Sequence, residues 1–159
     1  MPHKDSPITI QSTHSAPHHI PVITKWLQTE WGHHNPGWSF DDHLAHYKTY
    51  AVQSGLPIQM VAVQNDQPIG CVTLNEDDLP SEPDLGPWVS GLFVPEEFRR
   101  QGLGQILLAG AEAEAKRQGY THLYLFNRSA IKFYTKASWV PVKTVLFREK
   151  EYTVFQKKL

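Results

Sequence analysis

The chain is 159 residues long, 40% hydrophobic and 19% charged, with a formal net charge of −1 at pH 7. That length supports one domain with a core stable without staples, and so small a charge offers no basic field for nucleic acid. A single cysteine, Cys71, excludes an intrachain disulfide and a cysteine-based zinc site, and no apolar stretch approaches the ~20 residues that span a bilayer. The opening MPHKDSPITIQSTHSAPHH is polar and broken by prolines, unlike a secretory signal, so a soluble cytoplasmic protein with residues 1–6 flexible is expected.

In chain order, PITIQSTHSA from Pro7 alternates β-branched and polar residues and predicts a short strand. IPVITKWLQTEWG places Ile20, Ile23, Leu27 and Trp31 at helical spacing and closes on Gly32. NPGW breaks the chain, and SFDDHLAHYKTYAVQSG predicts a second helix, capped by Ser39 and ended by Gly55. Met60 to Val63 and Ile69 to Leu74 are β-rich runs around the turn cluster QNDQP, which predicts a hairpin. EDDLPSEPDLG is an acidic, proline-rich loop, and PWVSGLFV is a further strand. From Gly102 to Gln118, Leu103, Ile106, Leu107, Ala111 and Ala115 form an apolar stripe. Glu112 and Lys116 pair across the exposed face, and Gly119 ends the helix. THLYLF alternates little, which predicts a strand buried on both faces. RSAIKFYTKA is a short helix, and VPVKTVLF and YTVFQKKL make a closing hairpin around REKE. The order β-α-α-β-β-β-α-β-α-β-β gives the α/β class, with a mixed sheet and helices on both faces in one domain, residues 1–159.

The junction VPEEFRRQGLG, between a strand and a helix, carries the first chemistry. The first turn of a helix leaves backbone N–H groups unpaired and holds roughly half a positive charge. Glycines without Cβ let an anion sit directly on those groups, and Arg99 and Arg100 add full charges. The junction therefore reads as a diphosphate site, or else as a loop that happens to contain glycines. A dinucleotide loop does not fit, because GLGQIL lacks the third glycine and begins well after the strand. A nucleoside-triphosphate loop does not fit either, because no Gly-Lys-Ser/Thr is present.

Arg99-Arg100-Gln101-Gly102-Leu103-Gly104 resembles the Q/R-x-x-G-x-G/A signature of the GNAT superfamily of N-acetyltransferases. A second segment, YLFNRSAIKFYTKASW, is similar to that family's strand, Asn, Phe-Tyr helix and small residue–aromatic close, with Ser138-Trp139 where Gly-Phe is usual. The resemblance covers about Pro87 to Trp139 and implies that family's fold, a mixed, centrally splayed sheet of about seven strands. It also implies the family's reaction, transfer of an acetyl group from acetyl-CoA to a primary amine by direct attack in a ternary complex, with no metal.

Carried over residue by residue, the resemblance lays the pyrophosphate beside Arg99 and on the N–H groups of Arg100, Gln101, Gly102, Leu103, Gly104 and Gln105. The backbone of Leu92, Phe93 and Val94 would bond the pantetheine arm as an added strand would. Asn127 and Phe133 fall on cofactor-binding positions. Tyr134 falls on the general acid, which protonates the departing thiolate, though a packing role beside Phe133 is the plain alternative. A base is needed as well. An alkyl amine with a pKa near ~10.4 is neutral in about one molecule per thousand at pH 7, a deficit of roughly 4–5 kcal/mol. The family often places a carboxylate, acting through water, after the strand CVTLN. Glu76 is the first choice there, ahead of Asp77 and Asp78, with a solvated acidic loop as the alternative.

In this family the first two helices and their loop commonly line the acceptor pocket, so Trp31, His33, His34 and Trp38 are candidate substrate contacts, or helix-end packing. HSAPHH invites a metal reading, but Pro17 keeps His14 and His18 off one helix face, and a flexible linker with no metal is expected. Cys71 and His122 are expected to be structural. Glu30, Glu76, Asp77, Asp78, Glu82 and Asp84 fall in segments expected near the acceptor side and suit a small cationic amine, polyamine-like or aminoglycoside-like, with ordinary solubility as the alternative account of the same charges. The rivals are a protein N-terminus or lysine as acceptor, another acyl-CoA as donor, and a non-catalytic acyl-CoA-binding module. No nucleic acid or membrane partner is expected, and the closing hairpin offers a homodimer contact.

Overall fold

Local signals and long-range pairing meet first at the turns. The computed structural model describes residues 6–52 and 54–159. The expected flexible segment 1–6 lies outside them except for Ser6, whose carbonyl accepts a hydrogen bond from Gln64 Nε2 at 2.8 Å. Strand β1 spans Thr9–Ser12, followed by helices α1 (Ile20–Trp31) and α2 (Phe40–Val52). Ser39 starts α2 through a capping box: Asp42 N donates to Ser39 Oγ at 3.1 Å, and Ser39 N donates to Asp42 Oδ2 at 2.8 Å. Strands β2 (Ile58–Gln64) and β3 (Gln67–Asn75) form the expected hairpin. Asn65 and Asp66 hold φ of 52° and 62° in the two-residue turn, the left-handed pair that matches strand twist.

The remaining elements are β4 (Trp88–Phe93), α3 (Leu103–Arg117), β5 (His122–Asn127), α4 (Ile131–Lys136), β6 (Val140–Phe147) and β7 (Lys150–Lys158). Their order is the one expected from sequence. They build one seven-stranded sheet, β1-β2-β3-β4-β5-β7-β6, in which β4 and β5 run parallel and the other neighbours antiparallel. The two faces separate by strand alternation. Met60 and Ala62 of β2 join Leu103, Leu107, Leu108 and Ala111 of α3, while Val61 and Val63 join Ile23 and Leu27 of α1.

Three local expectations change. Ile106 is 40% exposed and Leu108 takes its place in the buried stripe of α3, because the sheet meets the helix one position further round. Glu112 pairs with Lys157 of β7 rather than with Lys116, since the face it occupies lies against the sheet. In β5 only Leu123 and Leu125 are fully buried. Tyr124 and Phe126 are half-buried against Trp88 and Val154, on the face that α3 does not cover. Ser138 sits at φ 69°, a conformation that favours glycine, which accounts for the family's Gly at the position where this chain departs from it.

Candidate active site

The sheet opens at its centre. Cys71 pairs with Phe93 and Thr73 with Ser90, so Gly91 and Leu92 together oppose one residue, a bulge that Gly91 permits with φ 57°. Trp88 and Tyr124 are the only pair in register between β4 and β5 among the described residues. Beyond them the strands diverge, leaving the β5-facing edge of Leu92 and Phe93 outside any strand ladder.

Beside this opening lies the turn read from sequence as an anion site. Glu96–Phe98 make a short 3-10 turn, Arg100 holds φ 63°, and Gly102 holds φ 79° as the residue that starts α3. Among the described residues no side chain caps this helix, so the first-turn N–H groups of Leu103, Gly104 and Gln105 are left for another partner. Glu96 holds both arginines, accepting from Arg99 Nη1 at 2.8 Å and from Arg100 Nη2 at 3.1 Å. Arg99 Nε also donates to the carbonyl of Val94 at 2.7 Å. Gln101 is exposed beside them. The glycines differ in purpose. A Cβ on Gly102 would meet no atom within 4 Å, whereas one on Gly104 would stand 3.2 Å from Phe133 Cζ. Gly104 therefore admits the Phe133 ring as well as any anion.

A cleft of about 930 Å³ runs under the opening. It brings together predicted residues Leu92, Asn127, Tyr134, Trp31, His33 and His34. Asn127 Oδ1 accepts from Ser129 N at 2.9 Å and Ala130 N at 2.6 Å, fixing the turn into α4 and leaving its amide group as the remaining donor. Tyr134 is 7% exposed, packs with Phe133, Trp139 and Phe155, and burial pushes its phenol up to about 12, so it stays protonated. His34 lies below its ordinary imidazole value through burial first, then through Arg148, His33 and Lys150. Cys71 is fully buried and its thiol is pushed up to about 12, an inert core residue.

Other predicted residues lie elsewhere. Glu76 is exposed and does not line the cleft. Trp38 is outside the lining as well, its ring tilted against His43 at 5.2 Å and edge-on to His46 at 5.6 Å at the start of α2. Phe93 packs against Trp26 and Trp31. Of the six acidic residues expected at the mouth, Glu30, Asp77 and Asp78 line the cleft, Glu82 pairs with Lys143, and Asp84 is exposed.

Sequence reasoning missed part of the lining. His43, Tyr47 and Tyr50 reach the cleft from one face of α2, a spacing of four and three that a helical wheel would have shown. Arg128 enters from the β5–α4 turn, and Arg148 and Lys150 from the β6–β7 turn, so the cleft is not uniformly acidic. Folding also changes Asp78. Burial raises its carboxyl from 3.8 to about 7, while neighbouring Tyr50 is raised by burial and by Asp78 itself. His46 Nε2 lies 2.9 Å from Tyr50 Oη, on the exposed side of α2, while Tyr50 and Asp78 both line the cleft.

An α/β sheet opened beside a glycine-started helix is a cofactor-binding arrangement, and residues 20–139 match the acetyltransferase (GNAT) family. The chain belongs to that family. No curated protein sequence matches it. Among solved structures, it is similar to an aminoglycoside 6'-N-acetyltransferase complexed with coenzyme A, with 15% identity, coverage of 94% of this chain and 96% of that one, and a TM-score of 0.76. The yncA protein of Salmonella typhimurium, with its cofactor acetyl-CoA, gives 17% identity, 95% and 93% coverage and a TM-score of 0.72. Ard1 from Thermoplasma volcanium gives 17% identity, 96% and 97% coverage and 0.70. At such identities the likeness is one of fold. Among the described residues no helix is long and apolar enough to cross a membrane.

Proposed function

We propose that residues 1–159 act as one acetyltransferase domain that moves the acetyl group of acetyl-CoA to a primary amine. The observation that carries this reading is the opening between β4 and β5, with an uncapped, glycine-started helix beside it and Tyr134 and Asp78 in the cleft below. The residues fit the co-substrate. The N–H groups of Leu103, Gly104 and Gln105, with Arg99 and Arg100, would hold a pyrophosphate, and the open edge of Leu92 and Phe93, continued by Val94 whose carbonyl also accepts from Arg99, would pair with the pantetheine amides. Asn127 would donate to the same arm, and Phe133 packs behind Gly104 to hold the turn in place.

Asp78 takes the role first assigned to Glu76. Above about pH 7 it is ionised, close enough to the working range to accept a proton from an incoming ammonium. The freed nitrogen bonds to the thioester carbonyl carbon, the C–S bond breaks, and the sulfur takes the phenolic proton of Tyr134. The second proton shed by the nitrogen restores the phenol, and the proton on Asp78 leaves to solvent. Glu30, Asp77 and Asp78 receive the ammonium end of the acceptor, contacted also by Trp31, His33 and His34. The cations Arg128, Arg148 and Lys150 in the same cleft favour an acceptor bearing an acidic group besides its amine over a polycation.

Calorimetric titration of acetyl-CoA is expected to show one-to-one binding. Gly102→Val should weaken it about tenfold or more, because a branched side chain strains the φ 79° turn that aims the N–H groups. Absence of binding heat, or equal affinity in the variant, would count against the proposed cradle.

A further inference from the structure

The HSAPHH segment, expected to be a linker, is built into the fold. His14 Nδ1 lies 2.5 Å from the carbonyl of Ala51, and Pro17–His19 form a 3-10 turn that runs directly into α1. His19 is 4% exposed, and its Nε2 is buried with no hydrogen-bond partner among the described residues. The neighbouring His18 ring lies 4.0 Å away, centroid to centroid. Asp66, at the tip of the β2–β3 hairpin, faces the same pair, and one ligand atom from each of His18, His19 and Asp66 lies within 4.8 Å of the others. A buried imidazole nitrogen with no partner among the described residues is an unsatisfied polar group, and two imidazoles held side by side repel when both are protonated. A cation accepted by both nitrogens and the carboxylate resolves each of these conflicts.

We propose that His18, His19 and Asp66 bind one divalent transition ion of the zinc, cobalt or nickel type, clamping the start of α1 to the β2–β3 hairpin. Two imidazoles and one carboxylate suit such ions, whereas calcium and magnesium prefer all-oxygen sites. Metal–ligand bonds of about 2.0–2.2 Å set donor atoms roughly 3–4 Å apart, which small side-chain rotations reach from the present spacing. His18 and Asp66 are exposed, so the ion can enter and water can complete its coordination. None of the three residues lines the cleft, so the ion takes no part in acetyl transfer and the proposal stands apart from the catalytic reading.

The test is calorimetric titration of zinc chloride into the chelator-treated full chain, with cobalt(II) absorption as a second probe. One saturable site is expected, with zinc raising the melting temperature. His18→Ala and Asp66→Asn, both at exposed positions, should each weaken zinc by about tenfold or more and remove its effect on melting. No saturable binding by the unaltered chain would overturn the proposal. So would zinc affinity unchanged in both variants, which would put the ion on other histidines such as His33 and His34.

Discussion

Asp78→Asn is expected to lower turnover at pH 8 by about 10²-fold or more, while acetyl-CoA binding stays nearly unchanged. Asparagine keeps the size of the side chain and removes the proton acceptor. In the unaltered protein kcat should rise with pH through about 7 as the carboxyl ionises, and the variant should lose that limb. The same group makes a prediction about stability with a definite sign. Its folded value is raised above 3.8, so the folded chain binds the proton more tightly, and this carboxyl opposes folding increasingly as pH climbs from about 4 to 7. Melting temperatures measured at pH 4 and pH 8 should then show Asp78→Asn gaining over the native chain only at the higher pH. A variant with full turnover, or an acid limb that survives the substitution, would remove Asp78 from the mechanism.

Tyr134→Phe is expected to cut kcat by about 10²-fold with little change in acetyl-CoA affinity. Phenylalanine retains the ring that packs with Phe133, Trp139 and Phe155, so the melting temperature should move little. Loss of rate without loss of fold separates the acid role from the packing role that any buried aromatic can play. A rate equal to that of the native chain would leave Tyr134 as a core residue only.

Features set by neighbouring residues were legible in the sequence, and features set by distant ones were not. The Ser39 cap, the turn within QNDQP and the glycine-started helix at Gly102 all depend on a few adjacent residues, and each stands where expected. The distinction between Glu76 and Asp78 depends on what α2 and the sheet place around them. In sequence they are near neighbours of the same chemistry; in the fold one is exposed and the other is desolvated beside Tyr50. The cations of the cleft escaped for the same reason, since Arg148 and Lys150 reach it from a hairpin far along the chain. Gly104 read as an anion contact, and only tertiary packing shows Phe133 lying against it. The pairing that Pro17 argues against, His14 with His18, lies within one segment, whereas the group within reach of His18 and His19 is Asp66, far along the chain.

The most direct measurement is release of free CoA thiol from acetyl-CoA, followed in parallel for the native chain and Asp78→Asn. The panel should span amino acids, amino-terminal peptides, polyamines and aminoglycosides. The account predicts amine-dependent release above the hydrolytic background by the native chain, greatest for an acceptor that combines an amine with an acidic group, and loss of that release in the variant. Acetyl-CoA bound by the native chain with no release in the presence of any amine would contradict it and point to an acyl-CoA-binding module.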